Sequence, residues 1–310
     1  MSKIQRLFIH YALPSIVGML IVSLQIMIDG VFVSKGVGPL GLAAVNISMP
    51  LINVLLSVAI MIISGGVVIC GIAKGENDEE RSRGYTTLTL VVLFTTIGIL
   101  SLLIMLNLKR VCYLLGSNDL VFPFVHDYLS IIIGAFFFFC IPNFTEAFTR
   151  LMGKPMWVLT SGIICCMMNV ILDWLFVLTW NWGMTGAAIA TCMANTIAAL
   201  VLLRNVRFGK IQGGIVEIRK IFFNGSSELM TSVSSAITTF VFNLILMKNI
   251  GVLGVAALTI VFYLNSIVNM SIFGLSQALY PLMSYSLGAR SYSGIKDLLK
   301  SLTIIGPLFD

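Results

Sequence analysis

Two aspartates stand inside apolar runs: Ile26-Met27-Ile28 precedes Asp29, and Val170-Ile171-Leu172 precedes Asp173. A carboxylate at the centre of a bilayer costs about 2.5–3.5 kcal/mol on insertion scales. Aspartate is too short to lift its charge far toward water, so two of them in separate helices point to a shared polar interior. The chemistry such an interior supports is reversible binding of a proton or a small cation. Gln25 lies one helical turn before Asp29 and Asn169 one turn before Asp173, which puts each on the same face as its carboxylate. At ~1.5 Å per residue, Asp29 is about 9 Å below Lys35 and Asp173 about 10 Å below Trp180. Thr191 is then about 12 Å beyond Gly183, so all three polar groups come to one level. The competing reading is a polar cluster that only glues helices together.

Other candidates carry less. Glu228 follows Gly225-Ser226-Ser227 early in a later apolar run; it is expected at a helix end facing water, with a coupling or substrate role as the second reading. His10 and His126 fall near run ends without metal-pair spacing. The six cysteines form no C-x-x-C pair and read as small hydrophobes. There is no H-x-x-x-H and no G-x-S-x-G, so an intramembrane enzyme is not expected, and no cofactor beyond a coupling ion is called for. The Phe136–Phe139 run reads as packing.

The elements that position these residues are long. Of 310 residues 58% are hydrophobic and 10% charged, with a mean hydropathy of +1.01, and lipid must be the solvent for so apolar a chain. A span needs about 20 apolar residues. Such stretches fall near 11–34, 42–73, 86–108, 122–148, 156–179, 183–203, 222–247 and 252–284, and a ninth begins near 298 and is still running at Asp310. Pro14, Pro50, Pro142 and Pro281 are expected to bend or fray their spans. The fold class is therefore an all-α polytopic helix bundle.

With the N-terminus inside, fifteen of the nineteen Lys and Arg residues fall on inner segments, and only Lys35, Lys109, Arg110 and Lys248 fall outside. That bias is the positive-inside signature, and it accounts for the net charge of +6 without a nucleic-acid partner. Expected partners are membrane lipid and small amphipathic or cationic molecules, with the chain a monomer in the plasma membrane. The acids Asp29 and Asp173 alone are expected within spans; Glu76, Asp78, Glu79 and Glu80 belong to a solvated inner loop.

The longest polar connector, Arg204 to Lys220 with Gly209, Gly213 and Gly214, looks like a hinge between two halves. A repeat supports the division: Gly38-Pro39-Leu40-Gly41-Leu42-Ala43-Ala44 recurs as Gly251-Val252-Leu253-Gly254-Val255-Ala256-Ala257, and the gapless alignment continues to Gly75 and Gly288. Paired halves of this kind are one of the known transporter plans. The division expected is a six-helix lobe over 1–208, a connector over 209–220 and a partial second lobe over 221–310.

Three segments together resemble multidrug and toxic-compound extrusion (MATE) transporters, particularly their DinF-like branch. They are Met27-Ile28-Asp29-Gly30-Val31-Phe32-Val33 with Gly38 to Ala44, then Asn169-Val170-Ile171-Leu172-Asp173 leading to Gly183 through Thr191, and Gly288-Ala289-Arg290. The resemblance implies twelve helices in two lobes, and export of amphipathic or cationic compounds against inward Na⁺ or H⁺. It implies an ion or proton site at Asp29, Asn143, Asn169, Asp173 and Thr191, with Na⁺ held by Asp29, Asn169, Asp173 and Thr191, and a helix-bending role for Pro14. Four helices' worth of the family's second lobe lies beyond Asp310, so a non-transporting fragment is an alternative. A lipid-linked saccharide flippase of the same superfamily is another; an arginine-rich cavity would favour it, and no span is expected to carry an arginine at depth.

Overall fold

The computed structural model describes residues 3–249 and 252–305, with the side chains of 1–5, of much of 235–268 and of 301–310 left out. The described residues form helices in sequence order: α1 (Lys3–Gly36), α2 (Pro39–Gly75), α3 (Glu79–Leu106), α4 (Leu108–Leu114), α5 (Phe122–Gly134), α6 (Phe136–Leu151), α7 (Pro155–Asp173), a π-helical segment (Trp174–Thr179), α8 (Gly183–Leu203), α9 (Ile215–Asn249), α10 (Val252–Gly288) and α11 (Tyr292–Ile305). Five are long and apolar enough to cross a membrane: α1, α2, α3, α7 with its π-helical extension, and α8. The expected fourth span is a pair, α5 and α6, bent by 51° at Ala135. The break follows Gly134, whose backbone gives the helix little support. Pro14, Pro50, Pro142 and Pro281 all lie inside helices.

Helix ends follow local chemistry. Gly38 takes φ 89° before Pro39, so the tight turn into α2 is made by a residue without a Cβ and the helix opens on a proline preset for its first turn. Asp78 caps α3, its carboxylate accepting from the Arg81 N–H at 2.9 Å, with Glu79 and Glu80 in the first turn.

The largest core lies among α2, α3, α5, α6 and α8, with Leu55, Ile62, Leu93, Leu129, Ile133, Phe144 and Phe148 buried in it. The repeat reappears as contact symmetry. Gly38 and Gly251 stand 213 positions apart in the sequence, as do Gly75 and Gly288; Gly251 itself lies outside the described residues. Where α2 meets α10, a Cβ on Gly75 would strike the Tyr285 carbonyl, and a Cβ on Gly288 would strike the carbonyl of Ile72, the residue corresponding to Tyr285. Gly71 meets Ser284, its own counterpart. Such reciprocity requires a two-fold axis running between the two helices. Likewise Gly65 of α2 packs on Ile221 of α9, while the corresponding pair, Ala278 of α10 and Phe8 of α1, shares one buried cluster. Small residues let these backbones approach closely, the usual device where hydrophobicity cannot drive helices together.

The non-helical part of the expected connector is shorter than its polar stretch. It runs from Arg204 to Gly214, and the residues from Ile215 onward already belong to α9. The Thr87 hydroxyl donates to the Gly209 carbonyl at 2.9 Å and accepts from the Gly209 N–H at 3.1 Å. Lys154 Nζ donates to Asn205 Oδ1 at 2.9 Å, and Arg204 lies 4.0 Å over the Trp157 ring. These contacts, with Lys74 Nζ on the Leu151 carbonyl at 2.9 Å, gather many of the basic residues at one end of the bundle.

Candidate functional site

On α7 the polar residues recur every fourth position: Ser161, Cys165, Asn169 and Asp173. That spacing makes one continuous stripe on a helix, and the neighbours confirm the face. Ser161 Oγ donates to the Ala198 carbonyl of α8 at 2.9 Å, and the Cys165 thiol donates to Asn195 Oδ1 of α8 at 3.4 Å. Gln25 of α1 is within hydrogen-bonding reach of the same thiol. Gln25 thus reaches the stripe two turns from Asp173, at Cys165.

The outer end of the stripe is not satisfied in this way. Asn169 and Asp173 are fully buried, yet neither atom of the Asn169 amide and neither oxygen of Asp173 has a partner among the described residues. One oxygen of Asp29 is also buried without one. The Asp29 and Asp173 carboxyls nevertheless face each other across α1 and α7 within reach of a single shared hydrogen. Two ionised carboxylates are both acceptors, so only a proton or a cation held between them can join them. Orphaned buried oxygens of this kind ask for an occupant. The oxygens of Asp29, Asp173 and Asn169 suit a hard cation or a proton.

Local backbone structure fixes this end. Asp173 is the last α-helical residue before the π-helical segment, where the Trp180 N–H reaches back five residues to the Leu175 carbonyl at 2.8 Å. Such π turns are rare and recur at functional positions. The segment is held by glycines on both sides, Gly36 of α1 against Val177 and Gly186 of α8 against the Phe176 backbone. Phe176, Trp180 and Trp182 stack at 5.0–5.2 Å beside it.

Of the other expected residues, Thr191 is half-buried on α8 and spends its hydroxyl on the Ala187 carbonyl at 3.0 Å. Asn143 lines a second chamber, between α1, α2, α6 and α10, with Glu146, Arg150, Gln277 and Tyr280. Pro14 is inside α1.

Three departures from the sequence expectations concern charge. Glu146 and Arg150, one turn apart on α6, form an ion pair at 3.1 Å with side chains only 19% and 4% exposed; a third acid therefore lies within the helical bundle, while Arg150 stays in the last turn of α6. Glu228 is not at a helix end, because α9 starts at Ile215, and its carboxylate accepts from the Tyr280 hydroxyl of α10 at 2.5 Å. Tyr128 of α5, buried and within electrostatic reach of both Asp29 and Asp173, was not singled out by sequence. The four-residue spacing of Glu146 and Arg150 was the readable signal; nothing in the sequence distinguishes Tyr128 from other span tyrosines.

Comparison with known proteins decides the family. The MatE family model matches residues 14–175, more than half of the chain. The chain belongs to the MatE family. As a MATE protein it is a membrane transporter, not an enzyme. The multidrug export protein MepA of Staphylococcus aureus (strain NCTC 8325 / PS 47) is 22% identical over 321 residues, a match covering 99% of this chain and 70% of that protein. MepA of Staphylococcus saprophyticus is 23% identical over 320 residues, covering 98% and 70%. The Vibrio cholerae MATE transporter VcmN in its bent form superposes with a TM-score of 0.92 at 20% identity, over 99% of this chain and 72% of that one. A MOP superfamily transporter from Pyrococcus furiosus matches with a TM-score of 0.89 at 19% identity, over 98% and 69%. These structures share the all-helical MATE architecture with this chain.

Proposed function

We propose that the chain acts as a cation-coupled exporter, in which inward Na⁺ or H⁺ drives outward movement of amphipathic or cationic compounds by alternating access, as in the DinF-like branch. The observation that carries the reading is the facing pair Asp29 and Asp173, buried between α1 and α7 with oxygens that no protein donor meets. Burial and mutual repulsion oppose two negative charges there, and a bound cation or proton relieves both penalties. Asn169 supplies a further oxygen, and Thr191 of α8 is proposed as the remaining ligand. Occupancy then bears on α1, which carries both Asp29 and Pro14, and bending of that helix links ion entry to release of the cargo. The names of the MepA relatives support a multidrug cargo. The lobes proposed are 1–208 and 221–310, joined by 209–220, with the N-terminus and the basic end of the bundle on the cytoplasmic side of the plasma membrane and the protein working as a monomer.

The flippase reading rests on arginine in the central cavity. Arg150 does line it, but Glu146 neutralises that charge, which favours the exporter. Right-side-out vesicles carrying the chain and loaded with ethidium should extrude it under an imposed inward Na⁺ or H⁺ gradient, and Asp173→Asn should abolish this while inserting normally. Wild-type efflux from well-inserted Asp173→Asn would refute the coupling role. Asp173-dependent ion binding with no efflux would instead select the non-transporting alternative.

A further inference from the structure

The chamber at Glu146 is built from both halves of the bundle and is not used by the ion site. Asn143, Glu146 and Arg150 enter it from α6, and Gln277 and Tyr280 from α10; Ile63 and Val67 of α2 with Met19 of α1 and Phe273 of α10 give it an apolar wall. Tyr280 in turn holds Glu228 of α9. The charged groups here are Glu146, Arg150 and Glu228, which leaves one negative charge in excess when all are ionised.

The ion pair itself is poorly made. Arg150 meets Glu146 through Nη2 alone at 3.1 Å, and its Nε is buried without a partner. A guanidinium normally grips a carboxylate with two parallel N–H bonds, so a single contact between neighbours on one helix is the weaker form and the easier to exchange. A carboxylate this buried cannot be left bare. Whatever displaces Arg150 must bring positive charge of its own, and the surrounding apolar wall selects a cation with a hydrophobic body. Phe273 adds an aromatic face suited to such a cation. In the present state the chamber has room for about one water. It lies one turn from the close contact of Gly71 with Ser284, so parting of α2 from α10 is the movement that would widen it.

We propose that Glu146, with Asn143, Gln277 and the Tyr280–Glu228 pair, forms a recognition subsite for a compound bearing a positively charged nitrogen, with Arg150 holding the carboxylate until that nitrogen displaces it. The inference rests on the exporter reading and adds to it the residues that meet the cargo.

The test is equilibrium binding of ethidium, and of the neutral dye N-phenyl-1-naphthylamine, to the chain in lipid nanodiscs. The variants are Glu146→Gln and the double variant Glu146→Gln/Arg150→Gln, the latter leaving no unpaired charge if the single change fails to fold. Glu76→Gln, in the exposed turn before α3, serves as the control. The double variant should weaken ethidium by tenfold or more and leave the neutral dye within twofold. Ethidium binding within twofold of wild type in the double variant would overturn the subsite while leaving the exporter reading intact. Equal loss of both dyes would also overturn it, because that marks collapse of the chamber and not charge recognition. Failure of the wild-type chain to bind ethidium would overturn the subsite and the cationic cargo class together.

Discussion

The bundle buries carboxylates in two places and treats them in opposite ways. Between α1 and α7, Asp29 and Asp173 face each other, and among the described residues no donor meets either Asp173 oxygen. Between α6 and α10, Glu146 has Arg150 one turn away and Glu228 has the Tyr280 hydroxyl. The protein completes the second site from its own residues and leaves the first to be completed from solution. An unmet pair of charges is costly in every state except the occupied one, which makes it a place where binding free energy can be coupled to movement. A met pair is stable when empty, and exchanges only for a ligand that replaces the lost charge.

Mutation separates the two. Neutralising a member of the completed site strands its partner: Glu146→Gln leaves Arg150 buried and uncompensated, which should cost on the order of 3 kcal/mol and lower the thermal midpoint in detergent. Asp29→Asn strands nothing, and by removing one of two repelling charges should leave the ion-free midpoint unchanged or raise it. A drop for Asp29→Asn as large as that for Glu146→Gln would erase the contrast.

A third carboxylate, half-buried at the start of α9, gives a reference away from both sites. Glu217, in the first turn of α9, accepts from the Gly214 N–H at 2.9 Å. That backbone hydrogen bond, with further help from Lys220, holds its carboxyl below the usual glutamate range. Because the group titrates lower in the folded chain, its contribution is present above the ordinary carboxylate range and is lost as pH falls through the depressed value. Protection of the Gly214 amide, taken relative to its intrinsic exchange rate at each pH, should fall in Glu217→Gln and, in wild type, on acidification, with no change in ion binding. This is the smallest of the effects, and slow exchange at Gly214 in the variant would show that the turn is held by other contacts.

The spans were legible because crossing hydrocarbon demands about 20 apolar residues, and that demand leaves a mark in any sequence. Asp29 and Asp173 were legible because they interrupt such a run. Glu146 was hidden for the opposite reason: it lies in Asn143-Phe144-Thr145-Glu146-Ala147-Phe148-Thr149-Arg150, where polar residues look like the end of a span although α6 continues through it, buried, to Leu151. Glu228 was misplaced because α9 begins among the connector's polar residues, which hydropathy cannot tell from a loop. The π-helical segment after Asp173 and the 51° bend between α5 and α6 arise from packing against neighbours, and composition alone carries little trace of either.

One ion should complete the aspartate pair. Trp174, Trp180 and Trp182 follow Asp173 closely enough to report on it, so tryptophan fluorescence can be followed as Na⁺ is added to the chain in nanodiscs at fixed pH, with released protons counted by an indicator dye. A saturable change at one ion per chain is expected, or one proton bound and released per chain if H⁺ is the coupling ion, and loss of that change in Asp173→Asn. Ion or proton uptake in Asp173→Asn equal to that of the wild type would contradict it, leaving the pair as a structural contact between α1 and α7.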